Sequence, residues 1–146
     1  MQTQLSFEIV TLEGLKFQED VWQVELPTPT GLMGILPNHI PLIGIVSPGV
    51  VSIRRHEEES DEAVESLATA GGFVEIDGKR VRLLADSAEL AEDIDEMKAK
   101  EALVRAQELQ RSARDVVSLS DATTIIQRET ARLKVAEIKR RRIRRV

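Results

Sequence analysis

The sequence lacks or is short of several residue types, and each shortage excludes a kind of chemistry. Among its 146 residues there is no cysteine and no tyrosine, so disulfide bonds and thiolate nucleophiles are excluded. The only histidines, His39 and His56, do not form an H-E-x-x-H spacing, and we expect no metal site. The phosphate-loop pattern G-x-x-x-x-G-K-[ST] is also absent. With no catalytic constellation left, we expect a protein that is not itself an enzyme.

Long apolar runs are missing as well, which bears on membrane association. No apolar stretch approaches the ~20 residues that a membrane-spanning helix needs. The first residues, Met1 to Phe7, do not combine a basic region with an apolar run, so we expect no signal peptide. We therefore expect a soluble chain that reaches a membrane only through a partner.

Charge is distributed unevenly along the chain, although the net charge is only −5. Residues 128–146 carry nine Lys or Arg and two acids, whereas residues 1–127 carry eleven bases and twenty-three acids. A basic end on an acidic body predicts that the tail meets an acidic surface, either on its own body or on a partner.

Glycine and proline are concentrated in residues 31–49, which hold four of the eight glycines and three of the five prolines. This mixture with large aliphatics disfavours a helix and favours short strands joined by tight turns, buried on at least one side. Residues 5–9 alternate apolar and polar side chains, as a half-buried strand does. Asp77-Gly78 is typical of a hairpin turn, and Gly71-Gly72 permits close backbone approach. We therefore predict an all-β sandwich or barrel over residues 1–86.

Residues 87–146 differ in composition from residues 1–86, because they contain no glycine or proline and are dominated by good helix formers. We predict two helices that form an antiparallel hairpin, so the fold class is an all-β N-terminal domain followed by an α-helical hairpin domain. The second helix is expected to run to about Arg142. The predicted N-caps are Asp86 or Ser87 for the first helix and Ser120 or Asp121 for the second.

A seam of small side chains runs along the first predicted helix at alternating spacings of three and four residues. Extending the seam backwards places Glu92 and Asp95 on it, where a carboxylate needs a partner. Small side chains make a weak interface, so we expect a hairpin that can detach from the surface on which it packs. The members of the seam are Ala99, Ala102, Ala106, Leu109 and Ala113.

Three ordered blocks of sequence carry a resemblance to a known family. They are Gly34-Ile-Leu-Pro-Asn-His39 with Pro41-Leu42 and Pro48-Gly49-Val50, then Ala70-Gly-Gly-Phe-Val-Glu75, then Leu84-Ala-Asp86 with Asp93-Ile-Asp95. Together they resemble the signature of the epsilon subunit of rotary ATP synthases, and the similarity covers nearly the whole chain.

The resemblance implies a non-catalytic subunit of the central stalk, or rotor, with no required cofactor. Its β domain would contact the gamma subunit and the ring of c subunits, and would help couple proton translocation to ATP synthesis. The hairpin would be a switch that permits ATP hydrolysis when compact and inhibits it when extended into the α/β catalytic head. The implied location is the cytoplasmic face of the bacterial inner membrane, peripherally bound, with the chloroplast thylakoid as the alternative.

The same resemblance assigns partner contacts to individual residues. His39 matches the histidine of the face that meets the gamma subunit, and the alternative is a histidine satisfied within its own turn. The turn Thr30-Gly31-Leu32-Met33 is the implied c-ring contact. Leu32 stands where the family often has a glutamate, so this contact would be more apolar or differently placed.

A regulatory ATP site is implied on the helices, where ATP would bind weakly and stabilise the folded hairpin. Lys98 departs from the family motif, which has arginine there, and lysine cannot offer a two-pronged donor to a phosphate. The alternative is a plain ion pair between Asp95 and one of two arginines on the second helix. The residues of the implied site are Ile94, Asp95, Lys98, Ala99, Arg105, Arg128 and Arg132.

The basic tail has several interpretations. By resemblance it would meet an acidic segment of the β subunit when the hairpin is extended. The alternatives are a solvated helix end favoured by the helix dipole, or a lipid-binding tail. We expect no nucleic-acid binding, because the body is acidic and aromatic residues do not interleave with the bases. The residues are Lys139, Arg140, Arg141, Arg142, Arg144 and Arg145.

A second class of function is a free-standing binding module whose basic helices hold an acidic protein. Co-purification with α, β and γ subunits in gel filtration distinguishes this alternative from the rotor subunit.

Overall fold

The computed structural model describes residues 4–145, which form ten strands, a single 3-10 turn and two α-helices. The strands are β1 Leu5–Thr11, β2 Gly14–Val21, β3 Gln23–Thr28, β4 Gly31–Ile35, β5 Leu42–Val46, β6 Gly49–Arg54, β7 Glu65–Thr69, β8 Gly72–Ile76, β9 Arg80–Ala85 and β10 Ala88–Leu90. The 3-10 turn is Ala91–Asp93, and the helices are α1 Glu96–Ser112 and α2 Val116–Arg145.

The strands form two five-stranded sheets that pack as a sandwich, as predicted. The first sheet has the order β2-β1-β9-β8-β5 and the second has the order β10-β7-β6-β3-β4. All neighbours are antiparallel except β1 and β9. Alternate residues of β1 (Leu5, Phe7 and Ile9) point into the core between the sheets, which confirms the alternation read from the sequence.

The pair Gly71-Gly72 provides the close backbone approach that the sequence predicted. Both glycines have positive φ angles, +96° and +151°. A Cβ atom added to Gly72 would lie 2.0 Å from the carbonyl oxygen of Leu84 in the paired strand. Only glycine fits here, because a side chain would overlap the backbone of β9.

The sandwich continues past residue 86, so the predicted N-cap of α1 at Asp86 or Ser87 is wrong. Strand β10 pairs with β7, with Glu89 opposite Ala68. Helix α1 begins only at Glu96, where the carboxylate of Asp95 accepts the Lys98 N–H at 3.1 Å. Residues 88–90 favour a helix by propensity, and edge pairing with β7 overrides that preference.

Helix α2 begins earlier than predicted, at Val116 rather than after Ser120 or Asp121. The carboxylate of Asp115 accepts the N–H of Ser118 at 2.8 Å and its hydroxyl at 2.9 Å, which satisfies the helix start. The apolar pattern breaks in this region because the first turns of α2 are exposed, not because the helix is absent.

The two helices form the predicted antiparallel hairpin. Residues 113–115 connect them, and Arg140 near the end of α2 pairs with Glu96 at the start of α1 at 2.9 Å. Of the predicted seam, Ala99 and Ala106 are buried, Ala102 and Ala113 are half-buried, and Leu109 is exposed.

The hairpin lies on the second sheet through α2, which contacts β6 and β7. A small buried cluster of Ala68, Ala131 and Val135 joins the two parts, with Val50, Ala91 and Ile94 packed around it. This cluster shares no buried residue with the core of the sandwich. The helices are therefore an arm laid on the sandwich rather than a continuation of its core. No helix within residues 4–145 is long and apolar enough to cross a membrane.

Candidate functional site

A cluster of paired charges that includes a buried carboxylate lies where α2 meets β10. The carboxylate of Glu129 is 1% exposed. Its Oε1 accepts a hydrogen bond from Arg128 Nε at 3.0 Å, and its Oε2 accepts one from Arg132 Nη1 at 2.8 Å. Arg132 also reaches across to the sandwich, where its Nη2 donates to Glu89 Oε1 at 3.3 Å. We call Glu89, Arg128, Glu129 and Arg132 the charge network.

The surroundings of Arg132 determine the direction in which its pKa is shifted. Its Nε atom lies 2.7 Å from Glu89 Oε2 but out of line for a hydrogen bond, so the contact is Coulombic. Burial alone would lower the pKa of Arg132, but the hydrogen bond to Glu129 and the charges of Glu89 and Glu129 outweigh it and raise the pKa. The guanidinium is therefore held in its charged form between two carboxylates.

A cleft of about 740 Å³ opens beside the charge network. It lies between the β1–β2 turn, β10 and α2, and its lining mixes both signs of charge with an excess of acids. The acids are Glu13, Asp86, Glu89, Asp93 and Glu129, and the bases are Lys16, Arg128 and Arg132.

The basic end of α2 lies against acids of its own chain, which is one of the two alternatives that the charge asymmetry predicted. Two pairs tie it to the start of the hairpin segment, Lys139 to Glu92 at 3.4 Å and Arg140 to Glu96 at 2.9 Å. Arg145 pairs with Glu62 of the β6–β7 loop at 3.0 Å.

The remaining tail residues form no ion pair with the sandwich within residues 4–145, although Arg142 is half-buried and lines a small cleft with Glu65 and Ser66 of β7. Arg141 pairs within α2 with Glu137 at 2.6 Å. Arg142 and Arg144 form no ion pair with any residue in the described range 4–145.

An exposed apolar surface covers the outer face of β5 and β8, on the sheet opposite the helices. Ile43 is 77% exposed and Ile45 is 60% exposed. Ile45 pairs across the strands with Phe73, which in turn pairs with Leu84, and both of these side chains are also exposed. A contiguous apolar patch of this kind marks an interaction surface. Residues 31–49 are buried on one side, as predicted, because Ile35 and Val46 lie in the core while these exposed side chains occupy the opposite face.

The predicted partner residues lie on two exposed loops. His39 follows β4 and is half-buried, with Nδ1 2.7 Å from the carbonyl oxygen of Ile40 in its own turn. The segment Thr30 to Met33 forms the tip of the β3–β4 hairpin, where Thr28 Oγ1 donates to the Gly31 carbonyl at 2.6 Å. Leu32 at this tip is 70% exposed.

Comparisons with known proteins identify the family. The family model for the β-sandwich domain of the ATP synthase delta/epsilon chain matches residues 4–91. The ATP synthase epsilon chain of Herpetosiphon aurantiacus is 36% identical over 138 residues, covering 94% of this chain and 98% of the relative. The chain belongs to the ATP synthase epsilon chain family. The epsilon chain of Chloroflexus aggregans is 38% identical over 134 residues, covering 92% of this chain and 93% of that relative.

Solved structures agree with this epsilon-type fold. A chain in the cryo-EM structure of the Euglena gracilis mitochondrial ATP synthase, comprising OSCP, F1 and the c-ring, aligns with a TM-score of 0.76. The alignment covers 93% of this chain and 82% of that one at 20% identity. A chain of the Tetrahymena thermophila mitochondrial ATP synthase central stalk and c-ring gives 0.62 at 13% identity, covering 92% and 97% of the two chains. At these identities the likeness concerns the fold.

The predicted ATP-site residues of this epsilon-family chain are only partly brought together. Arg128 and Arg132 line the cleft, but the other five do not. Ile94 packs at the contact with the sandwich, and Ala99 is buried. Arg105 is exposed on α1.

Asp95 and Lys98 of this epsilon-family chain lie together at the start of α1 and are both exposed. Asp95 lies 4.0 Å from Lys98 Nζ, and within residues 4–145 it makes no ion pair with an arginine. The alternative of an ion pair from Asp95 to Arg128 or Arg132 is therefore wrong, because Asp95 is the N-cap of α1.

Sequence reasoning missed the two acids that hold these arginines, Glu89 and Glu129. A first helix capped at residue 86 or 87 would include Glu89, whereas Glu89 lies in β10 and faces Arg132. Glu129 lies seven residues after Ala122 and seven before Ala136, and all three are buried. A carboxylate in a row of buried small residues is a signal for a paired charge, and this signal was available in the sequence.

Proposed function

We propose that the chain is a non-catalytic subunit of the central stalk of an ATP synthase and helps couple proton translocation to ATP synthesis. The observation that carries this proposal is the exposed apolar face of β5 and β8 on a chain of the epsilon family. The structurally similar Tetrahymena thermophila chain comes from a structure of the central stalk and c-ring, which supports the same assignment. The corresponding location is the cytoplasmic face of a bacterial membrane, since the relatives from Herpetosiphon aurantiacus and Chloroflexus aggregans are bacterial.

The gamma subunit is the partner that we assign to the apolar face. This face presents exposed aliphatic and aromatic side chains on two hydrogen-bonded strands, namely Ile43, Ile45 and Phe73. His39 lies on the loop leading into β5, and with its Nδ1 bonded to the Ile40 carbonyl oxygen, its Nε2 is the ring atom left to bond across an interface. Burying this surface would remove apolar area from water, which is the main driving force of stable association.

The c-ring is the partner that we assign to the tip of the β3–β4 hairpin. Thr30, Gly31 and Leu32 are exposed there, Leu32 gives the tip an apolar end, and Met33 behind them is half-buried against the core. Hydrogen bonding from Thr28 to Gly31 stiffens the turn. A stiff apolar tip suits a contact through which torque passes.

The hairpin is a reversible brake on ATP hydrolysis in this proposal, and the structure describes its compact arrangement. Its buried contact with the sandwich consists of three small side chains and the half-buried Arg132–Glu89 pair, and exposed ion pairs such as Arg145–Glu62 add little to stability. An arm held this weakly can exchange its packing for another of similar free energy. When it is extended into the catalytic head, residues 139–145 would face an acidic segment of the β subunit.

Weak regulatory binding of ATP to the hairpin remains a prediction. Its support is the presence of Arg128 and Arg132 on one face of α2 beside an open cleft. Titrating the isolated chain with millimolar ATP, and following thermal unfolding, tests it. An unchanged melting temperature would remove this part of the proposal and leave the stalk role intact.

Reconstitution tests the stalk role. An ATP synthase lacking its epsilon subunit is assembled with the full chain, and gel filtration is used to ask whether the chain elutes with α, β and γ. We expect co-elution and recovery of ATP-driven proton pumping. Elution of the chain alone would favour a free-standing binding module instead.

The brake is tested in the same complex by removing residues 121–146. We expect ATP hydrolysis to rise while the truncated chain stays bound through its sandwich. Unchanged hydrolysis in a complex that retains the truncated chain would refute the brake and leave the coupling role untouched.

A further inference from the structure

A long middle stretch of the chain carries no charged side chain. No Asp, Glu, Lys or Arg lies between Glu25 and Arg54, although 31% of the whole chain is charged. The stretch contains β4 and β5, each of which ends the strand order of its sheet, and β5 adjoins the exposed apolar face. An edge strand presents backbone N–H and C=O groups to any other strand, and charged side chains commonly prevent such pairing. Strand β5 lacks that protection.

The opposite edge of the same sheet is protected. Strand β2 carries Lys16, Glu19 and Asp20, and its register with β1 shifts along the strand. Strand β5 pairs with β8 in an unbroken register and has no charge on any of its residues. Because charges and irregular pairing are means of blocking an edge, β5 is the edge of this sheet that is suited to accept another strand.

The hydrogen bonds of β8 determine which backbone groups of β5 are already used. In an antiparallel ladder, residues that lie opposite each other alternate between hydrogen-bonded and non-hydrogen-bonded pairs. The N–H of Asp77 donates to the carbonyl oxygen of Arg80 at 3.1 Å where β8 turns into β9. The odd-numbered residues of β8 therefore bond to β9, and its even-numbered residues Val74 and Ile76 bond to β5.

This alternation leaves two residues of β5 with their backbone groups on the open side. Gly44 lies opposite an even-numbered residue of β8, so its N–H and C=O point to β8. The N–H and C=O of Ile43 and Ile45 point the other way, where no strand within residues 4–145 pairs with β5. Ser47 follows the same alternation, because its N–H donates away from β8, to the Pro27 carbonyl at 2.9 Å.

The side chains of β5 determine what kind of strand it can accept. Ile43 and Ile45 are exposed on the outer face, and Ile45 lies opposite Phe73 of β8. A strand added to β5 would place its own side chains beside these two isoleucines, and cross-strand pairs of aliphatic or aromatic residues stabilise a sheet. The matching strand is therefore uncharged and apolar at alternate positions.

We propose that β5 accepts a strand of the stalk partner, so that the first sheet continues into that partner through backbone hydrogen bonds to Ile43 and Ile45. Such strand addition takes its affinity from main-chain hydrogen bonds and its selectivity from alternate side chains. The open edge is continuous with the apolar face of β5 and β8, so one partner covers both. This inference rests on the stalk role for the identity of the partner and adds the way in which the partner binds.

Hydrogen exchange tests the proposal on the full chain, alone and assembled with a γ-containing stalk complex. Exchange is quenched, the chain is separated, and its amide resonances are read by NMR. We expect the amides of Ile43 and Ile45 to exchange about tenfold or more slowly in the complex, the scale of one backbone hydrogen bond. The Gly44 amide, bonded to β8, is the internal control and should be protected in both states.

Two outcomes of this experiment separate the proposal from the stalk role. Fast exchange at Ile43 and Ile45 in a complex that retains the chain would overturn strand addition and leave the stalk role intact. Failure of the chain to co-elute with the complex would overturn both, because the partner is taken from the stalk role.

A pair of variants distinguishes backbone pairing from side-chain burial. Ile43→Pro removes the outward N–H and leaves the bonds to β8, as proline on an edge strand does. Ile43→Ala removes more apolar surface and keeps the N–H. We expect Ile43→Pro to weaken binding to the stalk complex about tenfold relative to Ile43→Ala. Equal or weaker binding by Ile43→Ala would overturn the proposal, and the exchange experiment decides it if Ile43→Pro unfolds.

A second copy of this chain is the other strand that could occupy the edge. Gel filtration of the isolated chain, combined with the same exchange measurement, tests this occupant. We expect a monomer with unprotected amides at Ile43 and Ile45. A dimer that protects both amides would overturn the proposal, because β5 would then pair with its own copy.

Discussion

Substituting Val135 by aspartate is expected to detach the helical hairpin from the sandwich. Val135 is 1% exposed and packs with Ala68 and Ala131 in the small docking cluster. Burial of the valine contributes about 1.5 kcal/mol and each alanine methyl about 0.8 kcal/mol, so the three side chains supply about 3 kcal/mol. An unpaired buried carboxylate costs several kcal/mol, which exceeds this sum. At neutral pH the lower free energy is therefore reached by undocking α2 and hydrating the aspartate.

The assay is two-dimensional NMR combined with thermal unfolding. In Val135→Asp the amide resonance of Ala68 is expected to move, since its covering helix has left. The unfolding temperature of the sandwich is expected to change little, because its core shares no buried residue with the docking cluster.

The matched control is Val117→Asp, the same substitution on the same helix at a side chain that is 69% exposed. It should leave the Ala68 resonance in place. The reasoning fails if Val135→Asp leaves the helix docked, or if the sandwich and hairpin unfold together at a much lower temperature.

Three further substitutions or conditions probe other parts of the molecule. Ile45→Asp should weaken binding to a γ-containing stalk complex, measured by co-elution, without lowering the thermal stability of the isolated chain, because the side chain is exposed. Gly72→Ala should destabilise the sandwich by about 3 kcal/mol or more in urea unfolding, since a Cβ would overlap the Leu84 carbonyl. The hydrogen bonds from Ser118 hold the pKa of Asp115 below its ordinary 3.8. The stabilisation that this N-cap gives to α2 is therefore complete at pH values above the ordinary pKa of aspartate. It is lost as the pH falls through the lowered pKa of Asp115, and hydrogen exchange of the first amides of α2 measures this loss.

Controls for these three predictions come from the same chain. Leu12→Asp changes a fully exposed leucine on the β1–β2 turn, away from the apolar face, and should leave stalk binding intact. Gly34→Ala meets only the flexible end of Gln23 at 3.4 Å and should cost far less than Gly72→Ala. Asp115→Asn keeps a capping oxygen without a titrating proton, so its α2 amides should lose the acid dependence. The opposite ranking in any of these pairs would contradict the corresponding argument.

The parts of the fold that could be predicted are those where local pattern and tertiary environment agree. Three sequence patterns each favour one local structure that the tertiary fold also requires. They are the alternation of apolar and polar residues in β1, the Asp77-Gly78 turn and the glycine pair at residues 71–72. Strand β2 was missed because most of its side chains are exposed and charged, so no alternation marks it. Strand β2 forms because it pairs with β1, although its own sequence shows no strand pattern.

The candidate site was predicted less completely than the fold. Resemblance pointed to Arg128 and Arg132, and the structure places both beside a cleft. It did not point to Glu129, whose significance depends on being buried between them. Asp95 was interpreted as a seam residue in need of a counter-ion, whereas it is the exposed cap of α1. A helix start displaced by nine residues changes which face a side chain occupies.

By itself, the sequence determined that a glycine-punctuated β domain precedes two glycine-free helices, because backbone freedom and hydrophobic period are local properties. The sequence also determined that the basic end of the second helix would pair with acidic residues, because the uneven distribution of charge along the chain can be read from the composition. Only the tertiary structure decided which acids these are, that β10 joins the sandwich, and that Glu129 closes the arginine pair. Those outcomes depend on which surfaces, far apart in the sequence, contact each other in the fold. The free energy of these contacts outweighs the local secondary-structure preference of each segment.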